Sequence, residues 1–140
     1  MDRRDLEIIR VLEENARLPL TEIARRLGIS ETAVRKRIAR LEREGVIEGY
    51  TVRVNPAKLG FTVVAFVGVD ATPERYLAVA SKLASLEEVK HLAITSGDHM
   101  IMAEVWARDG KHLMEVLSKK IGAMEGVKRV CPAVVIERLK

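Results

Sequence analysis

A change of character at residues 56–60 divides the 140-residue chain into two parts. Residues 1–55 are highly charged and read as helices, whereas the apolar run of residues 61–69 reads as a β-strand. Between them, Pro56 and Gly60 interrupt regular structure. We therefore predict two small domains, residues 1–55 and 61–140, joined by a linker of residues 56–60.

Composition excludes several classes of protein. Hydrophobic residues make up 48% of the chain, which is too many for a wholly disordered protein. The single cysteine excludes a disulfide framework or a cysteine-rich zinc site. The longest apolar run falls well short of the ~20 residues of a membrane-spanning helix, and the N-terminus lacks the apolar core of a signal peptide. We therefore expect a soluble, cytoplasmic protein, and its scarcity of Asn and Gln is typical of thermophiles.

Three short helices are predicted in the first domain, over residues 2–14, 21–27 and 30–44. Each carries apolar residues at helical spacing, and each begins at a residue that can accept a hydrogen bond from the free backbone N–H groups. Glycine, which readily adopts a left-handed conformation, follows the second and third helices. The predicted caps are Asp2, Thr21 and Ser30, and the glycines are Gly28 and Gly45.

The third helix carries a cationic outer face. Val34, Ile38 and Leu41 share the core-facing side, while residues 25–43 contain seven basic and two acidic side chains, a local charge of +5. Two short helices joined by a glycine turn, with a small Ala24 at their crossing, are typical of a helix-turn-helix. Because the major groove accepts one α-helix, the pattern favours DNA binding over a merely solvated helix surface.

The angular positions of side chains around this helix predict the role of each residue. We predict that Thr32, Ala33, Lys36 and Arg40 read base edges, while Arg35 and Arg43 contact phosphates. Ser30 could do either, through its hydroxyl or through its place at the helix N-terminus. Arg37 lies on a flank and is predicted to form an ion pair with an acid of the first or second helix.

Two further strand predictions follow. Residues 50–54 alternate between apolar and polar side chains, which predicts a strand that is either a small wing or a link between the domains. The second domain reads as βαββαβ, with strands over 61–70, 89–95, 100–107 and 127–139 and helices over 72–85 and 111–121. Thr72 and Asp109 are the predicted helix caps.

An internal repeat supports this order. Residues 82–90 align with residues 120–128 at an offset of 38, and Lys, Glu, Val and Lys recur at matching positions. The repeat could be convergent turn chemistry, but together with the element order it favours a pseudo-symmetric ferredoxin-like fold, which makes the chain α+β. Its strands read as apolar on both faces, so we predict that a second copy of the chain covers the face without helices.

The chain as a whole resembles the leucine-responsive regulatory protein/asparagine-operon regulator (Lrp/AsnC) family of bacterial and archaeal transcription regulators. The resemblance implies an N-terminal helix-turn-helix and a C-terminal ferredoxin-like domain that binds an effector and oligomerises, with dimers often assembling into tetramers or octamers. It implies binding to pseudo-palindromic promoter DNA, an effector that is often a free amino acid bound between neighbouring subunits, and no cofactor. The matching segments are Asn15-Ala16-Arg17, Glu22-Ile23-Ala24, Leu27-Gly28-Ile29-Ser30, residues 34–50, residues 56–60, Ser96-Gly97-Asp98 and Gly126-Val127.

The resemblance also implies an effector site, from which this chain departs at two positions. The family's Gly-Asp-aromatic-Asp turn corresponds to residues 97–100, where Met100 replaces the final acid, and Pro132 stands where a polar residue is usual. Asp98 could bind an α-ammonium group, and the Ser96 hydroxyl and Gly97 amide a carboxylate. The alternative is a polar hairpin turn without a ligand. The implied effector-binding residues are Ser96, Gly97, Asp98, His99, Met100 and Pro132.

Two other functions are less compatible with the sequence. A small-molecule-binding module without DNA control would suit the second domain alone, but the complete helix-turn-helix argues against it. An enzyme is disfavoured because the chain has no glycine-rich phosphate loop, nucleophile–base constellation or paired-carboxylate motif. Its three histidines lack metal-ligand spacing, so no metal site is expected.

Overall fold

The computed structural model describes all 140 residues, which form two compact units, Met1–Arg53 and Val54–Lys140. The first unit contains three helices: α1 (Arg3–Glu14), α2 (Leu20–Leu27) and α3 (Glu31–Arg43). They pack around a small core that includes the fully buried side chains of Ile8, Ile23 and Val34. Gly28 joins α2 to α3 in the left-handed conformation, with a φ of 65°, as the helix-turn-helix prediction requires.

The ends of these helices follow the predicted caps in two cases of three. Asp2 and Asp5 form a reciprocal capping box at α1, and the Ser30 hydroxyl accepts a hydrogen bond from the Ala33 N–H at α3. Thr21 was predicted wrongly as a cap, because α2 begins one residue earlier, after Pro19. The fixed φ of proline suits a helix entrance, and the Pro19 carbonyl accepts the first intrahelical hydrogen bond, from Ile23.

No strand forms at residues 50–54, so that prediction is wrong. After Gly45, the Leu41 carbonyl accepts hydrogen bonds from Val46 and Ile47, and the segment then continues without regular structure. Tyr50 and Val52 are exposed. Alternating side chains are compatible with a strand, but a strand needs a second backbone beside it, and none pairs with this segment.

The second unit is a four-stranded antiparallel sheet with helices on one side, which confirms the predicted ferredoxin-like fold. Its strands lie in the order β2-β3-β1-β4. A short 3₁₀ helix, Pro56–Leu59, precedes the sheet. The elements are β1 (Val63–Ala71), α4 (Tyr76–Ala84), β2 (Val89–Ile94), β3 (Ile101–Ala107), α5 (Gly110–Glu115) and β4 (Val127–Val134), and a π-helical segment, Val116–Ile121, continues α5.

Two predicted boundaries in this unit need correction. The helix expected from residue 72 begins at Tyr76, because Thr72 and Pro73 form a turn in which the Thr72 carbonyl accepts hydrogen bonds from Arg75 and Tyr76. The last strand ends at Val134 rather than near Leu139. Asp109 caps α5 as predicted, accepting a hydrogen bond from the His112 N–H.

The two faces of the sheet differ. Val67, Val69, Ile101 and Val105 are buried on the face that α4 and α5 cover. The other face, which we call the open face, carries Val64, Phe66, Met102, Glu104, Trp106, Cys131 and Ala133.

The open face is not uniformly apolar, contrary to the prediction. Glu104 lies buried within it and accepts hydrogen bonds from Trp106 Nε1 at 3.0 Å, His91 Nδ1 at 2.8 Å and Arg138 Nη2 at 2.8 Å. Burial would raise the pKa of Glu104, but these donors outweigh it and leave the pKa below the ordinary value. The strand pattern missed this charge because Glu104 sits between apolar neighbours in the sequence.

Candidate DNA-binding and effector sites

The predicted DNA-binding residues lie on or beside the outer face of α3. Thr32, Lys36 and Arg43 are exposed, and Ala33 is half-buried near the start of the helix. The Ser30 oxygen already accepts the Ala33 N–H at 3.1 Å, so its hydroxyl hydrogen remains free to donate.

The cations of this face differ in their partners. Lys36 and Arg43 form no ion pair within 4.0 Å, whereas Arg35 donates to Glu31 at 2.5 Å. Since a surface pair between exposed side chains contributes at most about 1 kcal/mol, Arg35 can exchange its carboxylate for a phosphate at little cost.

Arg37 and Arg40 both form ion pairs with acids at the N-terminal end of α1. Arg37 Nη1 donates to Asp2 Oδ2 at 2.7 Å and to Asp5 Oδ1 at 2.9 Å, which confirms its predicted ion pair. Arg40 Nη2 donates to Asp5 Oδ2 at 2.7 Å, and its Nη1 lies 3.5 Å from Glu44 Oε2. Burial would raise the pKa of Asp5, but the Asp2 N–H and both guanidinium groups together lower it far below its usual value.

The sequence count of +5 overstates the free charge of this region. Folding brings Asp2 and Asp5 beside α3, and Glu22 of α2 binds both Arg25 and Arg26. Hydrogen bonds from those two arginines lower the pKa of Glu22 to about 2. A linear window cannot count Asp2, Asp5 and Glu22, because all three acids lie outside it in the sequence.

The implied effector loop is a tight turn between β2 and β3. Ser96, Gly97 and Asp98 are exposed, and Gly97 has a φ of 115°. The turn is closed by hydrogen bonds from the Thr95 N–H to the Met100 carbonyl at 2.9 Å and from the Thr95 hydroxyl to the His99 carbonyl at 2.7 Å.

Asp70 of β1 anchors this loop, and sequence reasoning missed it. Its Oδ2 lies 3.0 Å from His99 Nδ1, and its Oδ1 accepts the Met100 N–H at 3.0 Å. The hydrogen bond with His99 is the main reason that the pKa of Asp70 lies below its ordinary value; burial opposes this shift, and the Met100 N–H adds to it. The sequence does show Asp70 as a lone acid that follows the apolar run of the first strand. Its role could not be predicted from that, because its partners lie about 30 residues away in the sequence.

Pro132 is not part of this loop. It lies on β4 opposite Val67, so its side chain is on the helix side of the sheet, whereas Asp70 and the His99 ring are on the open face. Within one chain the structure therefore does not bring Pro132 together with residues 96–100.

A second polar cluster lies under the helices and was also missed. Glu88 is buried and bonds to Lys120, while its Oε1 lies 3.5 Å from His112 Nε2. His112 Nδ1 in turn accepts the Arg108 N–H at 3.0 Å. No cluster of three or more His, Cys, Asp or Glu side chains in the chain could hold a metal ion.

Comparison with known proteins agrees with this architecture. A family model described as "Winged helix-turn-helix DNA-binding" matches residues 1–48, and one described as "Lrp/AsnC ligand binding domain" matches residues 64–140. The chain is 55% identical over 140 residues to the HTH-type transcriptional regulator LrpA of Pyrococcus horikoshii, covering 100% of this chain and 99% of that protein. The chain belongs to the Lrp/AsnC family.

Solved structures of Lrp/AsnC proteins have the same fold. Escherichia coli AsnC superposes with a TM-score of 0.90 at 28% identity, covering 100% of this chain and 95% of that one. A feast or famine regulatory protein of Mycobacterium tuberculosis, complexed with L-methionine, superposes with a TM-score of 0.92 at 28% identity over 99% and 94% of the two chains. This Lrp/AsnC chain is therefore a DNA-binding transcription regulator and not an enzyme. None of its helices is long and apolar enough to cross a membrane.

Proposed function

We propose that this regulator reads promoter DNA through the outer face of α3. The observation that carries the proposal is that Lys36 and Arg43 are exposed on this face without an acidic partner. Ser30, Thr32, Ala33, Arg35 and Arg40 complete the contact surface. Lys36, Thr32, Ala33 and Arg40 meet base edges, and Arg35 and Arg43 meet phosphates.

A salt titration separates these roles. The full chain first selects a preferred duplex, taken as its operator, from a random library. Its affinity for that operator and for random DNA is then measured between about 50 and about 200 mM salt, a range over which counterion release changes affinity strongly. Arg43→Ala should weaken binding to both duplexes alike and reduce the salt slope by about 0.9. Lys36→Ala should also lower the operator-to-random ratio, because it removes a base contact.

Arg17→Ala is the matched control. Arg17 is exposed in the connection between α1 and α2 and, like Lys36 and Arg43, has no acidic partner. The proposal fails if Arg17→Ala weakens binding as much as the two α3 variants, or if neither α3 variant changes the affinity for either duplex.

We further propose that the chain forms a two-fold homodimer through the open face of the sheet. Phe66 is 44% exposed there, beside the half-buried Val64, Met102 and Trp106, and neighbouring exposed apolar side chains of this kind are typical of protein–protein contact surfaces. A two-fold dimer predicts a pseudo-palindromic operator whose half-sites lie about one helical turn, or a multiple, apart.

Sedimentation equilibrium tests the dimer. Phe66→Lys should shift the chain toward monomer because it buries a charge at the interface. Leu77→Lys, at an exposed apolar position on α4, should not. Equal dissociation of both variants, or of neither, contradicts the assignment of this face.

The effector is proposed to be a free amino acid bound by the turn of residues 96–100, since a related regulator was crystallised with L-methionine. Ser96, Gly97 and Asp98 present a hydroxyl, an amide and a carboxylate to solvent, which matches the groups of a zwitterion. His99 and Met100 line the turn, and Pro132 would join only from another subunit.

Calorimetric titration with L-methionine and a panel of other amino acids tests this. Asp98→Asn should abolish the heat of binding, whereas Glu87→Gln, at an exposed acid outside the turn, should leave it unchanged. If no amino acid binds to the unaltered chain, the effector proposal is wrong, while the DNA-binding proposal stands.

A further inference from the structure

Asp5 is the most deeply buried charged residue of the first unit, with a relative exposure of 1%. Every one of its carboxylate contacts is a donor: Arg37 Nη1 to Oδ1, and Arg40 Nη2 and the Asp2 N–H to Oδ2, at 2.7–2.9 Å. Taking a carboxylate out of water is costly unless such donors replace the solvent. One buried acid of α1 thus fixes two arginines of the DNA-reading helix.

The two arginines are fixed to different degrees. Arg37 forms ion pairs with both Asp2 and Asp5, so its guanidinium group links α3 to the N-terminal end of α1. Arg40 makes one short bond, to Asp5, and a longer 3.5 Å contact with Glu44, while its side chain stays 31% exposed. Because the guanidinium group is planar and has five donors, anchoring one corner orients the plane and leaves other donors free.

The position of Arg40 makes that orientation relevant to DNA. It borders the same surface depression as Ala33, Lys36 and Arg43, which Asp2 also lines. A free arginine loses rotamer entropy when it binds a base, whereas an arginine already anchored loses less. An arginine held beside a base-reading surface in this way gains both affinity and directional preference.

We propose that Asp5 is a positioning residue for DNA recognition, which acts through Arg40 by holding its guanidinium group in the orientation that meets a base edge. The inference rests on the proposed role of Arg40 as a base reader. Asp5 itself touches no DNA in this scheme.

A double-mutant cycle in the full chain tests it. The variants are Asp5→Asn, which keeps the side-chain shape, Arg40→Ala, and the two combined. Affinities for the selected operator and for random duplex give the operator-to-random ratio of each protein. In the unaltered background Asp5→Asn should lower this ratio about tenfold, the size expected for a misplaced base contact. In the Arg40→Ala background it should leave the ratio unchanged.

A purely structural role for Asp5 gives a different result. It would weaken binding to operator and random DNA by the same factor, in both backgrounds, together with a lower melting temperature by circular dichroism. That outcome overturns the inference. Glu22→Gln is the control, because it releases two arginines of α2 but none of α3, and it should leave the ratio unchanged.

Arg40→Lys keeps the inference testable if Asp5→Asn does not fold. Lysine keeps the positive charge, so the salt slope should not change, but its amine cannot be oriented as a plane and the ratio should fall as it does for Arg40→Ala. A ratio equal to that of the unaltered chain would overturn the inference. If Arg40→Ala itself leaves the ratio unchanged, Arg40 reads no base and its assignment under the proposed function is wrong. If Arg40→Ala lowers the ratio but Asp5→Asn does not, only the role of Asp5 is refuted.

Discussion

Gly68 on β1 lies directly under the ring of His99, and this contact provides a sharp test of how the effector loop is held. A Cβ atom added at Gly68 would lie 2.4 Å from His99 Cγ and Cδ2 and 2.8 Å from Nε2, whereas ordinary contacts begin near 3.4 Å. In Gly68→Ala the ring must therefore move by about 1 Å. Movement of that size is enough to take His99 Nδ1 out of hydrogen-bonding range of Asp70 Oδ2, now 3.0 Å away.

The expected cost is the loss of one part-buried hydrogen bond to a charged group, about 1.5–3 kcal/mol in the free energy of unfolding. His99→Ala removes the same bond and also removes the obstacle. Gly68→Ala should then cost less than about 0.5 kcal/mol in the His99→Ala background, which is the usual limit for independent sites.

Urea unfolding followed by fluorescence measures this difference. Trp106 is the single tryptophan and lies on β3, so its emission reports on the second unit alone. The reasoning is refuted if Gly68→Ala destabilises the chain equally in both backgrounds, because the His99 ring would then not be the source of the cost.

Three further outcomes are expected. Because the pKa of Asp70 is lowered in the folded chain, its bond to His99 contributes stability above the unfolded pKa of about 3.8, and this stability is lost as the pH falls through the lower folded value. Between about pH 6 and about pH 3, the urea midpoint of Asp70→Asn should therefore fall less than that of the unaltered chain. Ser30→Ala should lower the stability of the first unit by ~1 kcal/mol, and Ser30→Asn by much less, when thermal unfolding is followed by circular dichroism. Val34→Ala should cost ~2 kcal/mol in the same assay, because it leaves a cavity at a fully buried position.

Local signals in the sequence determined much of the architecture. Ser30 and Asp109 cap the helices predicted for them, and Gly28 makes the predicted turn, because a cap or a left-handed turn involves residues within a few positions of each other. The βαββαβ order follows from patterns of the same short range, and that order is typical of one sheet topology. The composition fits two small units of this kind.

Tertiary structure alone decided which charges and which backbone segments find partners. The acid that binds Arg40 lies 35 residues earlier, and Asp70 binds a loop 30 residues later, so no window along the chain could reveal either pair. The alternating residues 50–54 form no strand, because a strand exists only where another backbone completes its hydrogen bonds. Glu104 is likewise buried on a face that the sequence pattern marked as apolar, because His91 and Arg138, which lie 13 and 34 residues away, join the neighbouring Trp106 in donating to its carboxylate. Helices and turns depend on neighbours in the sequence, whereas ion pairs and strand pairing depend on neighbours in space.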